Sequence, residues 1–113
     1  LTISTDLASI HILSSVYQSN NISEICLKTV KTLCEKVDYI NWAGIYLHEN
    51  EETRLHASAG DGENMQSQLA FPIKNRNEEI GVLVVKSRQW IVFDVTDVST
   101  LETVAFELGE LCT

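Results

Sequence analysis

Six side chains in this sequence have types suited to nucleophilic, redox or metal chemistry: Cys26, Cys34, Cys112, His11, His48 and His56. Their spacing argues against all three. Cys26 and Cys34 fall eight residues apart in a helical apolar pattern, so they share a helix side but stand about 12 Å apart along the axis. That is too far for a disulfide within one straight helix, and it is not a metal-ligand spacing. An odd count of three cysteines, with no signal-peptide pattern at the start, reads as buried, reduced thiols of a cytoplasmic protein. A hairpin register that pairs His48 with Thr53 puts Leu55 opposite Tyr46 and His56 opposite Ile45. Strand side chains alternate, so the two histidines then point to opposite faces and share no metal. His11 sits in a helical pattern, at the surface or the core edge. Gly60-Asp61-Gly62 has no following lysine and opens no helix, so it is a flexible joint and not a phosphate loop.

Binding chemistry is better represented. The same register gathers Trp42, Gly44, Tyr46, Leu55, Ala57 and Ala59 on one face. Small residues beside two aromatics leave a hollow under aromatic walls, as in a pocket floor. The competing reading is that glycine and alanine there admit a close-packed helix. On the next hairpin Ala70 and Pro72 share one parity. Leu69, Phe71 and Ile73 share the other, and this bulkier set is better core material.

These side chains need elements to hold them. Residues 4–18 carry an apolar stripe at helical spacing, with Leu7, Ile10 and Tyr17 on it. A polar turn, "QSNN", ends that helix. Asn21, with Glu24 three residues on, opens a second one whose stripe runs Ile22, Cys26, Val30, Leu33 and Val37. The period then changes. "YINWAGIYLH" (39–48) is rich in β-branched and aromatic residues, "ENEE" is a turn, and "TRLHASA" (53–59) alternates. "SQLAFPI" (67–73) and "EIGVLVVK" (79–86) flank a second polar turn. Pro72 lacks an N–H and requires an edge or a non-bonding position. "RQWIVF" (88–93) is a further short strand or an extended connector. Asp94 caps a last helix with Asp97 at its third position, both acids at the positive end of the helix dipole. Leu101, Leu108 and Leu111 recur on that helix near heptad spacing. With Leu7 they are candidates for a subunit seam.

A chain of 113 residues, 44% hydrophobic, suits one domain with a real core. A formal net charge of −8 repels phosphate backbones and anionic lipid, so neither nucleic acid nor a membrane is an expected partner. No apolar run is long enough to span a bilayer. Short turns between strands favour an antiparallel sheet, and flanking helices on it give an α+β domain.

This order, with its local sequence, resembles the GAF domain family. "NWAGIYLHENEETRLHASAG" looks like that family's first hairpin. "SQLAFPIKNRNEEIGVLVVKS" is similar to its second, with a serine before an apolar-Pro-apolar triplet and a turn into I-G-V-L. "FDVTDVSTLETVAFEL" matches its F-x-x-x-D before a striped helix. The resemblance implies an antiparallel sheet of about five to six strands, with N- and C-terminal helices on one face and a small-ligand pocket on the other. Such modules sense small metabolites in signalling proteins and often pair through their helices. Family members carry a few dozen residues that roof the pocket between the second strand and the S-x-x-apolar-Pro strand. Here the roof near 61–66 is shortened or missing. "NWAGIYL" also resembles free methionine-R-sulfoxide reductases of the same fold, which need cysteines in the roof and adjacent strands. Cys26, Cys34 and Cys112 match none of those positions.

The expectation is therefore a single GAF-like domain over 1–113, non-catalytic and regulatory, of bacterial type, with no cofactor and no metal. Its expected partners are a small-molecule ligand on Trp42, Gly44, Tyr46, Leu55, Ala57, Ala70 and Pro72, and a second copy in a homodimer. A purely structural dimerisation module, on a profilin-like scaffold, and the reductase are the alternatives.

Overall fold

Asn21 opens the first described helix by the chemistry its position predicts: its side-chain oxygen accepts the backbone N–H of Ser23 at 3.0 Å and of Glu24 at 3.4 Å, satisfying donors that the first turn leaves free. The computed structural model describes Ile12 and residues 21–111. The expected seam residue Leu7, with His11 and Cys112, lies outside them. The elements are α1 (Ile22–Lys36), β1 (Trp42–Glu49), β2 (Glu52–Gly60), β3 (Ser67–Asn75), β4 (Glu78–Ser87) and α2 (Val95–Leu111).

The strands form one four-stranded sheet in the order β2-β1-β4-β3, antiparallel throughout. Among the described residues the sheet has four strands and not the expected five to six; residues 88–93, the candidate fifth strand, are a connector. Ile91, a β-branched residue, has φ 53° there, which no strand accommodates. Pro72 lies on β3, an edge strand, where its missing N–H breaks no ladder bond. Both hairpin loops are two residues long with positive φ throughout: Asn50 and Glu51 at 49° and 69°, Arg76 and Asn77 at 53° and 68°. That geometry matches the twist of the flanking strands.

Both helices cover the same side of the sheet. α1 packs on β2 and β1, and α2 on β3 and β4. Ile25, Val30 and Leu33 of α1 join Leu101, Val104 and Leu108 of α2 in one core with Ala43, Ile45, Phe71, Ile73, Leu83 and Val85. Gly109 lets α2 approach β3: a Cβ there would collide with the Lys74 carbonyl. The Asn75 amide also donates to the Gly109 carbonyl at 2.8 Å. The start of α2 is a reciprocal box. The Asp97 N–H donates to the Asp94 carboxylate at 2.8 Å and the Asp94 N–H to that of Asp97 at 3.0 Å. Asp97 is fully buried and accepts the Tyr39 hydroxyl at 2.6 Å. Tyr39 in turn meets Phe93 edge-on, centroids 5.8 Å apart. The F-x-x-x-D signature is thus a structural knot.

β2 and β3 occupy opposite edges, so Asp61–Gln66 must cross the end of the sheet. The crossing is about 14 Å, three strand spacings, within reach of a chain that short. Gly60, at φ 89°, starts the crossing where a Cβ would strike the Asn41 carbonyl. The Asp61 N–H then donates to that carbonyl at 3.1 Å, and the Gln66 N–H to the Ser87 carbonyl at 2.8 Å. Arg88 staples the strap, with its guanidinium 3.0 Å from the Asp61 carboxylate and 3.4 Å from the Glu63 carbonyl.

Candidate functional site

A β-bulge decides which side chains reach the side of the sheet away from the helices. β1 and β2 pair His48 with Thr53 and Tyr46 with Leu55, as the sequence suggests, but Ile45 then pairs with Ala57 and leaves His56 unpaired. An extra residue on one strand reverses the facing of everything beyond it. Ala57 therefore joins Ala43 and Ile45 in the core at 8% exposure, whereas Leu55 remains 48% exposed. Ala59 likewise packs against the core. The expected place of Ala57 on the Trp42 face is corrected on this ground.

The other six candidates do come together. On the open side the pairings make three rows across the sheet. The first is Trp42, Lys86 and Gln68. The second is Ser58, Gly44, Val84 and Ala70. The third is Leu55, Tyr46, Val82 and Pro72. The middle row carries the smaller side chains, but the Trp42 indole covers Gly44 and Val84 is only 8% exposed, so the shallow trough that remains lies toward Ala70. The outer rows stand about 13 Å apart, four residues of strand rise. Trp42 closes the β1 end. Its indole lies on Gly44, where any Cβ would overlap the ring, and its pyrrole edge would be 3.5 Å from a Cβ at Gly62 of the strap. The Lys86 ammonium sits 4.8 Å from the indole centroid, a cation–π contact. Among the described residues no carboxylate forms an ion pair with Lys86.

Gln68 shares the parity of Ala70 and Pro72 on its strand, and Lys86, Val82 and Val84 are hidden in the sequence because "EIGVLVVK" reads as an unbroken buried run. The signal was available in its parity: once β1 and β4 pair, Lys86 must stand beside Trp42. His48 bonds Thr53 at 2.8 Å and Glu79 at 3.0 Å, and His56 bonds Glu49 at 2.6 Å. Each of these two histidines has its own acid, and among the described residues no cluster of three or more His, Cys, Asp or Glu stands ready for a metal. No helix among them is long and apolar enough to cross a membrane.

The two described thiols lie on the other side of the sheet. Cys26 is buried in the core, and Cys34, half-buried, donates its S–H to the Ala59 carbonyl at 3.5 Å. Burial pushes the Cys34 thiol above its ordinary range and the neighbouring Glu35 charge adds to this, against a backbone hydrogen bond from Ala43. Such a thiol stays protonated at neutral pH and is a poor nucleophile. The expected seam residues are also displaced. Leu101 and Leu108 are fully buried against the sheet of their own chain, and Leu111 is half-buried at the core edge.

No protein-family model matches the chain. No curated protein matches it either. Solved structures do. The free methionine-R-sulfoxide reductase of Staphylococcus aureus, in complex with substrate, is 19% identical with TM-score 0.86, covering 96% of this chain and 95% of that one. A putative GAF sensor protein from Burkholderia vietnamiensis is 16% identical with TM-score 0.86, covering 96% and 88%. The GAF domain of an Acinetobacter phosphoenolpyruvate-protein phosphotransferase is 18% identical with TM-score 0.82, covering 92% and 89%. At these identities the likeness establishes the fold.

Proposed function

We propose that this chain, which has the GAF-like fold, is a non-catalytic regulatory module that binds a small metabolite in the trough of its open sheet face. The observation that carries the reading is the three-row arrangement: Trp42 folded over Gly44 with Lys86 beside it, and Ala70 low between them and the row of Tyr46 and Pro72. The trough offers an aromatic wall, an apolar floor and one ammonium. A ligand with a flat or aliphatic body and an anionic end group suits it, with the body against the indole and the charge at Lys86. The strap between β2 and β3 is only six residues long and offers little chain to close over a ligand, so affinity is expected to be modest and exchange fast.

The likeness to reductase structures supplies a second reading. Against it stand the two described cysteines, which lie on the helix-covered side, one buried and one with a raised pKa. Incubation with free methionine sulfoxide and dithiothreitol distinguishes the two. The regulatory reading expects no turnover, and native mass spectrometry of the chain held in a protein-free metabolite extract is expected to show a small-molecule adduct that is lost in Val84→Phe. Turnover abolished by thiol alkylation would instead establish the reductase.

A further inference from the structure

β3 has one neighbour, β4, and presents its other side as a sheet edge. The Ser87 carbonyl of β4 points toward β3, where it accepts the Gln66 N–H at 2.8 Å. The Lys86 carbonyl points toward β1, where it accepts the Asn41 N–H at 2.9 Å. Backbone groups alternate sides along a strand, so the odd-numbered residues of β4 serve β3. Their partners are Ser67, Leu69, Phe71 and Ile73. The N–H and C=O groups of Gln68 and Ala70, and the C=O of Pro72, therefore point away from the sheet. Pro72 fits this pattern, having no N–H to give. Among the described residues no strand pairs with that side. Beyond it the edge is closed, because Gly109 of α2 abuts the Lys74 carbonyl. The open stretch is residues 68–72.

A hollow of about 130 Å³ lies against the same edge, bounded by Phe71, Pro72 and Lys74 of β3 and by Glu102, Ala105 and Phe106 of α2. Phe106 is 59% exposed and Phe71 is buried on the helix side of the sheet. A residue on an added strand points to the same face as the residue it pairs with. Opposite Phe71 its side chain therefore turns to the helix side and enters the hollow. An apolar cavity of about 150 Å³ accepts a benzene-sized group, so one aliphatic side chain fits. The next side chain on that face stands two residues along. Gly109 meets Lys74, so Glu102, about two turns earlier on α2, lies toward the Leu69 end. A basic side chain opposite Leu69 reaches it. α2 contains four acids and no base, and the chain's formal net charge is −8, so the edge attracts a basic segment. A second copy's β3 fits less well. Paired around Ala70, it sets Gln68 opposite Pro72 twice, each time without the N–H that the pairing needs.

We propose that residues 68–72 take up an extended basic segment of another protein as an added strand. An aliphatic side chain of that segment seats against Phe71, Ala105 and Phe106, and a basic one meets Glu102. Main-chain bonds to Gln68, Ala70 and Pro72 supply affinity, while the hollow and Glu102 select the sequence. The seated side chains lie on the helix side of the sheet, across from the trough, so this surface does not depend on the trough's ligand.

The test uses the whole chain and two fluorescein-labelled threonine peptides. One carries lysine two residues before a central leucine, and the other has the order reversed, so that both strand directions are tried. Fluorescence polarisation is expected to show saturable binding of one of them, with amide exchange by NMR slowed at Gln68 and Ala70. Ala70→Pro removes an outward N–H without touching the β4 ladder, and Phe106→Ser removes a wall of the hollow. Each, with its fold confirmed by circular dichroism, is expected to weaken binding roughly tenfold. Glu102→Lys is expected to weaken it roughly fivefold and to prefer the peptide in which glutamate replaces lysine. Failure of both peptides to bind at millimolar concentration overturns the proposal. So does binding that Ala70→Pro or Phe106→Ser leaves unchanged, or a Glu102→Lys chain that still prefers lysine. Exchange at Gln68 and Ala70 that self-association already slows in the peptide-free chain assigns the edge to a second copy and overturns it as well.

Discussion

The Trp42 indole occupies the space that a side chain at position 44 would need: its benzo ring lies directly on Gly44, and Gly44 is buried beneath it. The sequence places these two residues two apart on one strand, where same-face neighbours touch. The glycine therefore sets the tilt of the aromatic wall, and the wall sets the width of the trough.

The first prediction follows from that contact. Gly44→Ala must lift the indole, since the ring is the movable partner. In a Trp90→Phe background, which leaves Trp42 as the remaining tryptophan, the emission is expected to shift to the red. Stability should fall by about 1 kcal/mol or less, because a β-strand tolerates alanine better than glycine while some indole burial is lost. An unchanged emission would mean the ring does not rest on Gly44.

Cys34 is expected to react slowly. Burial raises its pKa from the ordinary value of 9.0, so little thiolate exists near neutrality. Iodoacetamide at pH 7.5 should modify Cys34 on the order of tenfold more slowly than glutathione, by peptide mass mapping, with the rate climbing into the alkaline range. The linkage runs the same way. The folded state holds this proton more tightly than the unfolded state, so the contribution is fully present below the unfolded pKa. It is lost as pH rises through the folded one.

Removing the Tyr39 hydroxyl leaves the buried Asp97 carboxylate short of a donor it now accepts at 2.6 Å. Tyr39→Phe is expected to cost about 1–3 kcal/mol, the desolvation penalty of an under-satisfied buried acceptor. A urea midpoint lowered at constant slope would measure it. A change within experimental error would contradict the structural role given to the F-x-x-x-D signature.

Glu51 holds φ 69° in the β1–β2 turn, a left-handed conformation that costs a side-chain-bearing residue about 1 kcal/mol. Glu51→Gly creates an Asn-Gly turn suited to that geometry. Thermal unfolding should move up by roughly 4 °C.

These residues also show how far the sequence could be read. The two hairpins, their turns, the caps at Asn21 and Asp94 and the edge position of Pro72 are local matters, decided by backbone chemistry within a few residues. They are legible for that reason. Ala57 was misplaced because the alternation Leu55, Ala57, Ala59 runs unbroken on paper, while the bulge at His56 reverses it in space. Nothing local marks such a bulge, which is chosen by what β2 must bury. "RQWIVF" has strand-like composition, yet it is the connector that carries β4 into α2, and Ile91 adopts a turn conformation to make that passage. On α2 the leucines at heptad spacing looked like a seam, but spacing alone cannot tell a partner from the chain's own sheet. Lys86 could not be joined to Trp42 until β1 and β4 were known to be neighbours.

The most direct measurement is the Trp42 emission of the Trp90→Phe chain titrated with an ultrafiltered, protein-free metabolite extract, beside the same chain carrying Ala70→Phe to fill the far end of the trough. The account predicts a saturable change in the first protein that is lost or strongly weakened in the second. Emission that does not respond in either, or that responds equally in both, would contradict a binding site on this face.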